Sequence, residues 1–223
     1  MVKVPPIANL QTVSGNYKSI QLETLEIVRD RLEKLKALDK SFQVFGAIDH
    51  RYEFNPTLSS EQIIEFEKEH KVHLPEEYRN FLLTIGNGGA GPNYGLLQLE
   101  ISIHDTPFDK TDSAIINLSN EFRFKTLWNL DDFPSEDYSA WEKEYEDSKW
   151  TDGIIRISHQ GCGTFDNLII SGEERGNIWT DDRANDGGIY PVHFHENELK
   201  TGFLTWYLNW IDISIQSIKQ NYH

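Results

Sequence analysis

Cys162 stands between Gly161 and Gly163, with His159 just before it and His193 and His195 downstream. A cysteine becomes a nucleophile when a base comes within hydrogen-bond reach and the thiol pKa is lowered. The same residues also suit a tight strand-to-strand turn around a small side chain. His193-Phe194-His195-Glu196 would put two imidazoles on one side of a strand. Zinc needs a third or fourth ligand, for which Asp181, Asp182 and His73 are the candidates. The alternative is a polar strand end. Asp181-Asp182-Arg183 with Asp186 offers carboxylates that could hold magnesium or share a proton. Closed by Gly187-Gly188, it also reads as an acidic surface loop beside Trp179. Gly86 to Gly91 is glycine-rich, but a phosphate cradle needs Gly-Lys-Ser/Thr opening a helix. Here the glycines close a helix and no lysine follows, so a fold turn is expected. None of these sets is complete. No catalytic residue, metal ligand or cofactor is assigned, and no enzyme is expected.

The densest candidate for binding is Asp131 to Trp150. Asp131, Asp132, Glu136, Asp137, Glu142, Glu144, Glu146 and Asp147 alternate with Phe133, Tyr138, Trp141, Tyr145 and Trp150. Aromatic anchors supply buried area, and surrounding carboxylates select a cationic partner. An amphipathic helix with Tyr138, Trp141 and Tyr145 inward and the acids in solvent explains the spacing as well. The partner face is therefore expected at Asp131, Asp132, Glu136, Asp137, Trp141, Glu142 and Glu144, joined by Trp179, Asp181 and Asp182.

The positioning elements can be read from periodicity. Residues 1 to 16, with Pro5-Pro6 and Gly15, are expected to be loose. Leu22, Leu25, Val28, Leu32 and Leu35 form a helical seam over Tyr17 to Leu38. Phe42 to Phe54 suits a strand or turn. Ser59 and Gln62 make a capping box, with Leu58 and Ile63 at staple positions. Pro75 is expected at the first position of a second helix, whose apolar face is Tyr78, Phe81, Leu82 and Ile85 and which Gly86 ends. Leu97, Leu99 and Ile101 alternate with polar residues and predict a strand over Tyr94 to Ile103. Ile154–Ser158 and Phe165–Ser171 are strands around Gly161-Cys162-Gly163; Asn177–Thr180 and Ile189–Phe194 are further strands. Phe203 to Ile218 is a terminal helix. Helices, then grouped strands, then a helix predict an α+β fold with a largely antiparallel central sheet flanked by helices. Residues 1–41 form an N-terminal helical extension and 42–223 the main domain.

The chain has 223 residues, 38% hydrophobic and 12% aromatic, enough for a core. Its net charge is −15. Such a surface repels nucleic acid phosphates and draws in a basic partner. Equally, acidity keeps a protein soluble. One cysteine excludes an intrachain disulfide and suits a reducing compartment. No apolar h-region opens the chain and no run approaches the ~20 residues of a membrane span. A cytoplasmic protein is expected. The sequence does not set the oligomeric state.

Leu74-Pro75-Glu76-Glu77-Tyr78-Arg79-Asn80-Phe81-Leu82, followed by Asn87-Gly88-Gly89, resembles the signature of the SUKH superfamily, the branch related to a fungal cell-wall-assembly regulator. Trp150, Ile154–Ser158, Gly161-Cys162-Gly163, Leu168–Gly172 and Gly176-Asn177-Ile178-Trp179 resemble its two central strands and their turn. The likeness spans roughly Phe42 to Trp210. It implies that Leu74, Pro75, Tyr78, Phe81, Gly88, Gly89 and Gly161 to Gly163 make the fold. It also implies an immunity protein that binds and neutralises a toxin made by the same strain or a neighbour. Charge adds that the toxin is basic, of a nuclease type. A regulatory scaffold, as in the fungal members, and an enzyme built on Cys162 and the histidines are the other classes.

Overall fold

Leu25, Val28, Leu32 and Leu35 recur at helical spacing, and all four are buried in one core. They lie on α1 (Ala8–Leu38), which packs against α7 (Phe203–Asn221) and α4 (Glu76–Thr84). The computed structural model describes residues 8–108, 114–130, 138–194 and 200–221, with the backbone alone over 8–22 and at 221. The helix begins at Ala8, so residues 8–16 are helical rather than loose, and Gly15 lies within the helix. Asp39, just past its end, is buried and ties it down. Its carboxylate accepts from the backbone N–H of Gln43 (2.7 Å) and Val44 (3.0 Å) and from the Tyr52 hydroxyl (2.6 Å). A one-turn helix, α2 (Ala47–His50), follows where a strand or turn was expected.

The capping box of α3 (Ser60–His70) is present: Gln62 N–H donates to Ser59 Oγ, and Ser59 N–H to Gln62 Oε1. Pro75 is the N-cap of α4 rather than its first residue. Tyr78 and Phe81 set their rings edge-on against Phe203 of α7, with centroids 5.0 and 5.2 Å apart. Glu77 Oε2 accepts from Leu204 N–H (3.0 Å) and so satisfies a free donor at the start of α7. Beyond α4 the chain turns at Gly88 and Gly89, both at positive φ. A Cβ on Gly89 would lie 2.4 Å from the Glu53 carbonyl oxygen, so only glycine fits.

The expected strand over Tyr94–Ile103 is not formed. Residues 94–97 run beside β1 with hydrogen bonds from Leu97 N–H to Ile157 O (2.9 Å) and Tyr94 N–H to His159 O (3.3 Å). The chain then coils into α5 (Leu99–Ser102). Asn87 Oδ1 accepts from Leu99 N–H (2.8 Å), which anchors the start of that turn. The buried side chains are Leu96, Leu99, Ser102 and Ile103, a helical rather than an alternating set.

The sheet is an antiparallel meander in the order β1-β2-β3-β4: β1 (Ile154–Gly161), β2 (Thr164–Ile169), β3 (Ile178–Asp181) and β4 (Ile189–Pro191). β1 shifts register against β2 between Arg156 and Ser158 and again between His159 and Gly161. Such shifts bend a strand and re-aim its side chains. At the far edge, Trp128 exchanges two 2.8 Å backbone hydrogen bonds with Ile189. The described residues thus form an α+β fold with an N-terminal helical part.

Candidate partner-binding face

Gly161 pairs with Thr164, which leaves Cys162 and Gly163 as a two-residue loop. Both have positive φ, 49° and 79°, as a tight I′ hairpin requires. The turn projects the Cys162 thiol into solvent. It also fixes what stands around the hairpin tip.

Beside it, rings from four separate segments meet. Tyr94 stacks on His159 at 5.8 Å, and Phe45 meets Tyr94 edge-on at 4.9 Å. Phe108 reaches His159 at 5.0 Å, and His159 reaches Phe165 at 4.8 Å. Tyr94, Phe108, His159 and Cys162 line a cleft of about 540 Å³ that also includes Asp49. Phe45, Tyr94 and Phe108 are 57%, 46% and 59% exposed, unusual for rings of this size in contact. Burial, and then the neighbouring Arg156 charge, push the His159 imidazole below its usual pKa.

Next to the rings, on the same face of the sheet and with Arg156 over the Phe165 ring, lies a buried ionic network. The Arg156 guanidinium donates to Asp105 O (2.5 Å), Asp105 Oδ1 (2.7 Å), Asn167 Oδ1 (3.3 Å) and Asp181 Oδ2 (3.2 Å from each terminal nitrogen). Arg183 donates to both Asp181 oxygens at 2.9 Å, and to Tyr145 O (2.8 Å) and Asp147 O (3.3 Å). Burial alone would raise the Asp181 pKa, but hydrogen bonding and charge from Arg183 and Arg156 hold it below the usual carboxylate value. Through Arg183 the network also fixes the end of α6 (Tyr138–Tyr145).

Along α6 the rings form a ladder: Tyr138 on Trp141 at 5.5 Å, Trp141 on Tyr145 at 4.7 Å, Tyr145 on Trp128 at 5.7 Å. Tyr145 is buried, Trp141 half-buried with its indole N–H on Leu130 O (2.9 Å), and Tyr138 is 70% exposed. Glu142 and Glu146 face solvent, while Glu144 and Asp147 bracket Lys149 at 2.6 and 3.4 Å.

The expected partner residues therefore divide. Asp131, Asp132, Glu136 and Asp137 lie outside the described residues. Trp141, Glu142 and Glu144 sit together on α6. Trp179 and Asp181 need correction as partner contacts. β3 is an inner strand, so Trp179 is fully buried against Phe122 and the Asp181 carboxylate is spent on two guanidiniums. Asp182 is half-buried and accepts from Thr164 Oγ1 (2.6 Å) and Asn185 Nδ2 (2.8 Å), a turn-holding role.

Of the other chemical candidates, Cys162 and His159 share the aromatic cleft, and no hydrogen bond joins them among the described residues; His193 lines a different cavity. His195 and Glu196 lie outside the described residues, among which no group of metal-binding side chains is assembled. No helix among them is long and apolar enough to cross a membrane. The aromatic cleft was not foreseen, because its rings come from segments without periodicity. The usable signal was Tyr94 in Gly-Pro-Asn-Tyr-Gly and Phe108 in Thr-Pro-Phe-Asp: large apolar residues placed at turns, where burial is hard to arrange.

Compared with known proteins, residues 57–201, more than half of the chain, match the model of the SMI1 / KNR4 family (SUKH-1). No curated protein and no solved structure matches.

Proposed function

The chain belongs to the SMI1 / KNR4 family (SUKH-1), and on that premise we propose that it is an immunity protein. It binds a toxin and neutralises it by covering the active site, without catalysing a reaction. Family membership is the observation that carries this reading. Residues 1–41 are then an extension and residues 42–223 the immunity domain.

Charge supports the choice of partner. A net charge of −15 speeds encounter with a basic protein and disfavours nucleic acid. A nuclease-type toxin is basic where it grips phosphates. The solvent-facing carboxylates on α6 and just past its end, Glu142 and Glu146, meet that groove in place of the substrate. The non-catalytic reading agrees with how the polar groups are spent: Asp181 is held by Arg156 and Arg183, and the buried Asp166 accepts from Thr180, Gln160 and Asn93.

The direct test is co-expression with each toxin gene found beside this one. Survival of the host, together with a salt-sensitive complex by gel filtration, is the expected result. A host killed despite abundant folded protein would overturn the assignment.

A further inference from the structure

We propose that the aromatic cleft beside the β1–β2 hairpin receives an arginine or lysine side chain projecting from the protein partner. This rests on the reading above that the partner is a basic protein, and it names the pocket that would select it.

Phe45, Tyr94 and Phe108 are each about half exposed yet in ring contact with one another or with His159. Holding large rings together in water gains little unless something covers them. The cleft of about 540 Å³ is open and mostly apolar, with the rings of Tyr94, Phe108 and His159 in its lining. Asp49, exposed on α2, is the carboxylate among its lining residues. A cation over an aromatic face with a carboxylate at the rim is the usual environment for a guanidinium or ammonium group. The nearby cations do not compete for the place. Arg156 lies beneath Phe165 and is committed to Asp105 and Asp181, and Arg183 to Asp181. Beyond the hairpin tip, Glu146 lines the adjoining cavity with Phe165 and Gly163. Arg156 and Arg183 line that adjoining cavity too, but their charge is met by Asp105 and Asp181, and the chain as a whole carries a net charge of −15. Charge complementarity favours a basic occupant over a second, equally acidic copy of this chain.

The test uses the full chain, isotope-labelled for NMR, and the peptide Ac-Gly-Arg-Gly-NH₂ against its citrulline counterpart, which keeps the shape and loses the charge. Shifts are expected at Tyr94, Phe108 and His159 with the arginine peptide and much smaller ones with citrulline. Phe108→Ser and Tyr94→Ser should each weaken binding about 3- to 30-fold at unchanged melting temperature, since both rings are exposed. Equal binding of the citrulline peptide would overturn the proposal. So would shifts spread over the α6 acids that neither variant alters, or self-association that Phe108→Ser abolishes. Co-expression with each neighbouring toxin gene separates the two readings. Peptide selectivity without protection would leave the pocket and remove the immunity role. Protection undiminished in both variants would do the reverse.

Discussion

Replacing Arg156 by methionine takes one guanidinium out of the interior and leaves two carboxylates facing the gap. Arg156 is 4% exposed and makes five hydrogen bonds, three of them to carboxylate oxygens. Removing one partner from a buried ionic group costs about 3–5 kcal/mol, because the remaining charge is stranded. Here the stranding is partial. Asp181 keeps Arg183 on both of its oxygens at 2.9 Å. Asp105 keeps Thr151 Oγ1 at 3.1 Å and retains 18% side-chain exposure, enough for water to reach it. The loss should therefore fall at the lower end, about 3 kcal/mol, or a melting temperature roughly 6–12 °C lower for a chain of this size. Urea unfolding followed by tryptophan fluorescence measures it, with an unchanged m-value as the sign that the folded state is otherwise intact. Adding Asp105→Asn to Arg156→Met should recover part of the loss, since it removes the stranded charge. The reasoning is refuted if Arg156→Met costs less than about 1 kcal/mol, or if Asp105→Asn in that background destabilises further.

Cys162 occupies the first loop position of the hairpin at φ 49°, so Cys162→Asn should leave stability unchanged or slightly raised, and Cys162→Val should cost about 1 kcal/mol; thermal melts of the two variants decide. Gly89→Ala meets the Glu53 carbonyl at 2.4 Å from a positive φ and should cost more than about 2 kcal/mol, visible as a large drop in urea midpoint. Burial lowers the His50 pKa from 6.5 to about 4, so the folded protein binds this proton less tightly than the unfolded chain. Its contribution is complete above pH 6.5 and disappears as pH falls toward 4, about 2 kcal/mol after allowing for partial solvent access; His50→Asn should flatten that pH slope in melts at pH 7, 5.5 and 4.5. Under the immunity reading, Glu142→Lys with Glu146→Lys should slow toxin association and weaken its dependence on salt, measured by surface plasmon resonance, and an unaltered on-rate would move the interface away from α6.

What the sequence made legible was local. Ser59 and Gln62 announce a helix start because the two partners are three residues apart, and the cap is present in the fold. Gly161-Cys162-Gly163 announces a hairpin because the turn demands its own residue types. The α1 seam reads correctly because a helix repeats its environment every few residues, and Gly15 misled only about where the helix starts. The strand expected over Tyr94–Ile103 failed for a non-local reason. Asn87, twelve residues before Leu99, supplies the acceptor that begins a helical turn there. Trp179 and Asp181 looked like surface binding material because nothing in their neighbourhood says that β3 lies between two other strands. The aromatic cleft was out of reach for the same reason. Phe45, Tyr94, Phe108 and His159 become neighbours only when the 94–97 segment pairs along β1.

That pairing has a consequence for how the molecule can be recognised. Tyr94 and Leu97 occupy the outer carbonyls of His159 and Ile157 on β1, and Trp128 occupies both outer groups of Ile189 on β4. At those positions a partner cannot add a strand of its own. Recognition there falls to side chains. Affinity can then be retuned one substitution at a time, at the hairpin tip or on α6, while the backbone ladder beneath is left alone.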